Sequence, residues 1–487
     1  MDHEERTSSD SILNLDEKTR TTLWQWVSET VESYVTSVDN LPIAPKLDAA
    51  AVRDWLEPFG FQHPIAPVAL LEALMPQWKQ QQVHTAHPGY FGLFNPAPSQ
   101  MSIVADALVA ALNPQLAAWS HSPLAVEIER HLVRSFGKRF GFEVEQVDGE
   151  FTTGGAEANL TALLVALHHR WPTVAQDGLR SLPQQPVFYV SREGHHSFLK
   201  AARASGLGAG SLREIDVTAD LAMDVESLKS IIRQDRAAGR DPFLLIATAG
   251  TTGAGAIDPL HELENVAREE KLWFHVDAAW GGAAALSPRL APLIKGIEAA
   301  DSITFDAHKW LSVSMGAGIF ITRHREVLSR TFGTETTYMP REGRGLPTTD
   351  PFTHSIQWSR RFIGLKAFLS LAVAGWDGYA RVLEHQTDMG ALLRKRLNEN
   401  SWSLVNDTPL PVVCFNNASN ELGIDQCQRI VDDVISAGRA WISTIQLGQA
   451  KRPAIRACIT NFKTQPGHVS RLIDDLNHAR ATIRASG

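Results

Sequence analysis

Residues 11 to about 38 place Leu23, Trp26, Val27, Thr30, Tyr34 and Val35 on one helical stripe with an acidic face opposite, which predicts an amphipathic helix. Prolines at 42–45 and near Pro58 and Pro64 interrupt helical spacing. Residues 1–85 therefore read as an N-terminal helical arm that packs on another lobe or another subunit. From about residue 100, helical segments alternate with short apolar runs at 186–190, 243–248, 272–276, 302–305 and 318–322. That alternation predicts an α/β fold with a mostly parallel sheet, and in such sheets ligands gather beyond the carboxyl ends of the strands. Residues 331–355 combine Gly, Pro, Thr and charge without periodicity and read as a long functional loop. Helical patterning resumes at 362–373. The rest carries helix, strand (411–415 and 455–460) and helix, as a small α/β lobe. The chain divides on this reading into the arm, a large domain over 86–375 and a small domain over 376–487.

Composition narrows the partners. At 487 residues the chain is long enough for two or three lobes and a deep site. A formal charge of -8, with no basic run of useful length, argues against a nucleic-acid binder. The three cysteines, Cys414, Cys427 and Cys458, have neither a disulfide-framework nor a zinc-site spacing, which fits a reducing cytoplasm. The first ten residues are charged and Ser-rich, and no run approaches eighteen apolar residues, so neither a signal peptide nor a membrane span is expected. No metal site is read from the sequence.

The residues directly after the predicted strands are rich in chemistry. Phe305-Asp-Ala-His-Lys-Trp310 sets a lysine after a strand and beside His308, where an amine is able to form an imine with an aldehyde cofactor. Alone, such a lysine reads as a surface residue. Three further strand ends change that. His275-Val-Asp-Ala-Ala-Trp280 ends a strand in a carboxylate suited to a protonated pyridine nitrogen, although a lone Asp there is equally a helix cap. Thr152-Thr-Gly-Gly-Ala-Glu-Ala-Asn159 is a glycine turn running into a helix, whose N–H groups and dipole suit a phosphate. Ala247-Thr-Ala-Gly-Thr-Thr-Gly253 and Arg192-Glu-Gly-His-His-Ser197 add hydroxyls and paired imidazoles, of which His195 suits stacking on a flat ring.

The order of these motifs resembles the group II pyridoxal-phosphate-dependent decarboxylases, among them aromatic-L-amino-acid, glutamate, cysteine-sulfinate and diaminobutyrate decarboxylases. The resemblance runs from about residue 85 to the C-terminus and is carried most specifically by Asp277-Ala-Ala and the His-Lys-Trp about thirty residues later. It implies a fold-type I transferase fold with a seven-stranded-type sheet, pyridoxal 5′-phosphate as cofactor, and a homodimer with active sites at the subunit interface. It further implies Lys309 as Schiff-base lysine, Asp277 as partner of the pyridine nitrogen and His195 as stacking imidazole. Ala279 would lie on the other ring face, Gly154, Gly155 and Ala156 at the phosphate, and Thr252 and His308 at cofactor contacts. Tyr338, twenty-nine residues after Lys309, matches the loop tyrosine that protonates the substrate carbon from the neighbouring subunit. Two departures stand out. The phosphate turn lacks the serines of the aromatic enzymes, and Asp306 replaces their asparagine, which keeps it out of the expected site.

Substrate-side positions divide. Phe94, Trp119 and Trp280 favour an aromatic pocket, whereas Gln115, His121, Arg341 and Arg344 suit a polar or acidic side chain. Leu93 and Asn95 depart from the aromatic pattern. Arg456 matches the family's C-terminal arginine for a substrate carboxylate, with a surface ion pair as the alternative. The resulting expectation is decarboxylation of an L-amino acid to its amine, first of aromatic type. Acidic or diamino substrates follow, then a carbon–carbon lyase or aminotransferase on the same fold, which would share Lys309 and Asp277 without needing Tyr338.

Overall fold

The computed structural model describes residues 13–339, 345–419 and 421–486. We label helices longer than one turn, and strands, in chain order. Helices α1 (Glu17–Ser37), α2 (Ala49–Leu56) and α3 (Pro67–Gln80) form the arm. Asp16 caps α1 by accepting from the Thr19 N–H, and Asp48 caps α2 through the N–H groups of Ala50 and Ala51. None of these three helices buries a residue fully, so the apolar stripe of α1 stays partly open.

Helices α4 (Gln100–Leu112) and α5 (Pro123–Arg139) lead into the large sheet. Its elements run β1 (Asp148–Thr152), α6 (Gly155–Arg170), β2 (Pro186–Ser191), α7 (Ser197–Ala204), β3 (Leu212–Ile215), α8 (Val225–Ala237), β4 (Asp241–Thr248), α9 (Leu260–Glu270), β5 (Trp273–Asp277), β6 (Ser302–Asp306) and β7 (Gly318–Thr322). The seven strands lie in the order β1-β7-β6-β5-β4-β2-β3. The β3 to β6 side is parallel, while β7 runs antiparallel to both neighbours. Strands β2, β5, β6 and β7 are buried at every position, as expected of a sheet covered on both faces. One face packs Phe136, Phe151, Tyr189 and Trp310, and the other packs Phe188, Phe198, Phe243 and Phe320.

Helix α10 (Val327–Phe332) precedes the long loop, and α11 (Leu365–Glu399) follows it. Helix α11 is broken at Gly375, whose φ of 65° only glycine adopts at little cost. Beyond it, β8 (Trp402–Leu404), β9 (Val412–Asn417), β10 (Ser443–Leu447) and β11 (Arg452–Cys458) form an antiparallel sheet in the order β10-β11-β9-β8. Helices α12 (Ile424–Ser436) and α13 (Pro466–Ser486) complete this region around its own core of Val413, Phe415, Ile430, Ile455 and Leu472. Among the described residues, no helix is long and apolar enough to cross a membrane.

Candidate active site

The carboxyl ends of β2, β4, β5 and β6 converge with the start of α6. Asp277 ends β5, is 4% exposed, and has both oxygens engaged. Its Oδ1 accepts from the Ala279 N–H at 3.1 Å, and its Oδ2 accepts from Asn159 Nδ2 at 3.0 Å. A carboxylate taken out of water needs such donors. Asn159 also donates to Ser197 Oγ at 2.9 Å, and Ser197 Oγ bonds His195 Nδ1 at 2.8 Å. The Ser197 N–H donates to the same Nδ1 at 3.2 Å, which makes Nδ1 an acceptor and leaves the imidazole proton on Nε2. Burial pushes the His195 pKa below the ordinary imidazole value, and the Asp277 charge opposes that shift. Four side chains from three strand-end segments thus form one network, although His195 itself is exposed.

Lys309 lies just past β6, with its Nζ 3.0 Å from Asp306 Oδ2. His308 is buried. Its Nδ1 accepts from the Ala317 N–H at 3.2 Å, and burial lowers its pKa against the pull of Asp306. The turn before α6 brings Gly154 beside His308: a Cβ built on Gly154 would sit 3.6 Å from His308 Cε1. No side chain caps α6; the Glu157 and Ala158 N–H groups donate to Gly154 O at 3.0 and 3.2 Å, which leaves those of Gly155 and Ala156 directed out of the helix start. Glu157 reaches back to the residue before that turn, its charge taken up by the N–H and hydroxyl of Thr153 and by Gln357 Nε2. The turn after β4 requires Gly250, whose φ is +94° and where a Cβ would meet the Trp280 ring at 3.1 Å. Ala279 is buried, and Thr252 is partly exposed at this turn.

An aldehyde-bearing aromatic phosphate fits this donor set. The end of β6 supplies an amine, the end of β5 a buried carboxylate, α7's approach an imidazole, and α6 an uncapped N-terminus for the phosphate.

The substrate-side positions are less unified. Phe94 is buried and stacks on Trp280 at 4.5 Å, and Trp280 is itself a core residue 2% exposed. Arg456 is buried on β11. It donates from Nε to Gly253 O at 3.1 Å, from one terminal nitrogen to Gly92 O at 2.7 Å and from the other to Thr252 O at 3.0 Å, with its guanidinium over Phe94. It therefore ties the β4 turn to the Gly92 segment and is not a surface ion pair. Gln115 is exposed, and its Oε1 accepts from the N–H groups of Ala117 and Arg360. Tyr338 is 73% exposed and stacks on Trp358 at 6.0 Å, in a cleft with Ser120, Asp350 and Phe352. The lining of that cleft includes none of Lys309, His195 and Asp277. Arg341 and Arg344 lie outside the described residues.

Three participants escaped the sequence reading. Asn159 and Ser197 lie inside quoted motifs, and Asn159 was detectable as one of two polar residues, with Thr161, on the mainly apolar buried face of α6. Asp306, set aside on the strength of the resemblance, contacts the lysine directly.

The pyridoxal-dependent decarboxylase conserved domain matches residues 68–418. Over 439 residues the chain is 30% identical to the aromatic-L-amino-acid decarboxylase of Bacillus atrophaeus, covering 88% of this chain and 89% of that one. It is 30% identical to an L-aspartate decarboxylase of Metarhizium robertsii, covering 68% and 67%, and 31% identical to the cysteine sulfinic acid decarboxylase of Mus musculus, covering 68% of each. The fold superposes on the Oryza sativa TDC solved with pyridoxal phosphate and tryptamine with a TM-score of 0.91 at 21% identity, covering 97% and 100% of the two chains. The chain belongs to the pyridoxal-dependent decarboxylase family. It is a pyridoxal-phosphate-dependent amino-acid decarboxylase, a carboxy-lyase.

Proposed function

We propose that Lys309 is the lysine that carries the cofactor aldehyde and that the substrate is an L-amino acid of aromatic type. The network from Asp277 through Asn159 and Ser197 to His195, assembled beside Lys309, is the observation that carries the assignment of the site. Bound pyridoxal phosphate supplies an electron sink for the bond that loses CO₂. Asp277 holds the ring-nitrogen proton in place, because an ionised carboxylate favours a neighbouring cationic acid. Asn159 fixes the direction of that carboxylate. His195, with its Nε2 protonated, offers a flat face for stacking. The uncapped N–H groups at Gly154, Gly155 and Ala156 take the phosphate, with His308, Thr252 and Ala279 completing the cofactor pocket.

Tyr338 acts across a subunit interface, from each subunit into the other's site, and returns a proton to the substrate Cα. A homodimer is supported by Val104, Leu108 and Leu112, exposed at i, i+4 and i+8 on one face of α4, and by the half-open apolar stripe of α1. The exposure of Tyr338 on its own chain has the same reading.

An aromatic substrate is supported by the stacked Phe94 and Trp280 rings and by the commitment of three of Arg456's five N–H donors to backbone carbonyls. Of the three sequence relatives reported above, the one aligned over the most of this chain, 88%, is an aromatic-L-amino-acid decarboxylase. Acidic or diamino substrates are the second reading, favoured by the aspartate and cysteine-sulfinate relatives. The test is a screen of the aromatic L-amino acids, aspartate, glutamate, cysteine sulfinate and 2,4-diaminobutyrate for CO₂ and amine. Release from an aromatic acid with the highest kcat/KM is expected. Preferential release from an acidic or diamino acid overturns the aromatic assignment, and aldol cleavage or amino transfer without CO₂ overturns the assigned site roles.

A further inference from the structure

Asp306, the last residue of β6, is 1% exposed, and neither carboxylate oxygen has a hydrogen bond of acceptable geometry. Its compensation is charge alone. Lys309 Nζ stands 3.0 Å from Oδ2, and His308 Nε2 stands 4.0 Å away. The same Oδ2 presses on the glycine turn, because a Cβ built on Gly155 would lie 2.7 Å from it. The other titratable group near the carboxylate is His195, which feels both Asp306 and Asp277. The first turn of α6 faces it through Gly155, and Glu157 of that turn is bonded to Thr153 and Gln357. Strand β7 meets it through Gly318.

A buried carboxylate without donors persists only beside a cation. Here that cation is the ammonium of Lys309, which reacts with an aldehyde only as the free amine. Condensation joins the amine nitrogen to the aldehyde carbon and expels the aldehyde oxygen as water, so the ammonium first gives up a proton. Asp306 is the adjacent base. A phosphate at the α6 turn then adds a second anion beside a buried carboxylate, and two like charges sharing one site disfavour joint ionisation.

We propose that Asp306 is a cofactor-exchange residue: it pairs with the Lys309 ammonium in the cofactor-free chain and opposes the phosphate on docking, so that docking of a phosphate that forms no imine takes up a proton from solvent and weakens as pH rises, whereas in imine formation the proton given up by Lys309 serves instead. The inference rests on the reading that Lys309 and the Gly154–Ala156 turn receive pyridoxal phosphate.

The probe is pyridoxine 5′-phosphate, which carries ring and phosphate but no aldehyde, with pyridoxine as its phosphate-free control. Binding to cofactor-free wild type and Asp306→Asn is followed by calorimetry in buffers of different ionisation enthalpy. At about pH 8.5 the free phosphate is dianionic, its second pKa being about 6, so proton uptake there reports the protein–phosphate pair. Wild type is expected to take up a proton with pyridoxine phosphate and not with pyridoxine. Asp306→Asn is expected to bind pyridoxine phosphate at least about tenfold tighter at that pH, a difference of about 1.4 kcal/mol, with a flattened pH dependence. Equal affinities, or no phosphate-linked proton uptake by wild type, overturn the proposal; the second result decides even if the variant does not fold. Hydride reduction of the pyridoxal phosphate complex, followed by peptide mapping, separates the two failures. Label on Lys309 with equal affinities defeats the exchange role alone, whereas label elsewhere defeats the underlying reading.

Discussion

Asn159 Nδ2 lies 3.0 Å from Asp277 Oδ2, so a helix that follows β1 orients the carboxylate that ends β5. The amide gives its other bond to Ser197, and through it to His195. One side chain therefore sets two groups of the site, which gives it a measurable role. Asn159→Leu is expected to lower kcat by about 10–100-fold, the scale of losing a hydrogen bond to a charged group at about 1.5–3 kcal/mol. It is also expected to weaken cofactor retention on dialysis. Unchanged kcat with unchanged retention would remove Asn159 from the site.

His195 gives a pH prediction with a defined sign. Its Nδ1 accepts from Ser197, an arrangement lost when the ring is protonated, and burial holds its pKa below the ordinary imidazole value. Activity that needs the neutral ring should therefore persist as pH falls past about 6.5 and decline only below it. The acid limb of kcat/KM measures this. A limb at or above that value contradicts the assignment.

Glu150, on β1, is buried with its pKa pushed up to about 8, chiefly by loss of water, while Ser355, Arg360 and Thr161 pull it down. Because the folded chain binds this proton more tightly than the unfolded chain does, its contribution to stability falls as pH rises from the ordinary carboxylate range through about 8. Glu150→Gln should raise Tm by roughly 2 °C or more at about pH 8.5 and change it little at about pH 5. A variant destabilised equally at both pH values would mean that the carboxylate is needed in its charged form.

The proposed dimer interface is testable at the open face of α4. Leu108→Glu places a charge between Val104 and Leu112 without touching the core. We expect a shift toward monomer in sedimentation and a loss of activity of about 100-fold or more, general acid catalysis by Tyr338 being worth roughly that much. A fully active monomer would contradict the assignment of Tyr338 to the opposite site.

The sequence made the large sheet legible because its inner strands are continuous apolar runs ending in chemistry. Residues 318–322 coincide with β7, and 186–190, 243–248, 272–276 and 302–305 match β2, β4, β5 and β6 to within a residue or two. Strands β1 and β3 were missed. Asp148–Thr152 opens with Asp and Gly, and Leu212–Ile215 is a charged edge strand exposed on one side, so neither has a distinctive apolar pattern. The stretch 152–159, read as a glycine turn, is already helix from Gly155 onward, because Gly-Ala-Glu carries no strong local helix-start signal. Lys309, Asp277 and His195 were legible as strand-end residues. Their connection through Asn159 and Ser197 was not, since hydrogen bonds between segments up to 118 residues apart leave no local pattern. Asp306 was left outside the expected site for a different reason: comparison with an asparagine says nothing about the ion pair that a carboxylate makes with the lysine beside it.

The central claim is that Lys309 carries the cofactor. The most direct measurement is reduction of the purified protein with borohydride in the presence of pyridoxal phosphate, digestion, and mass spectrometric location of the phosphopyridoxyl group. The account predicts the label on Lys309 alone, and its loss, together with CO₂ release, in Lys309→Ala. A label on another lysine, or CO₂ release undiminished in Lys309→Ala, would contradict it.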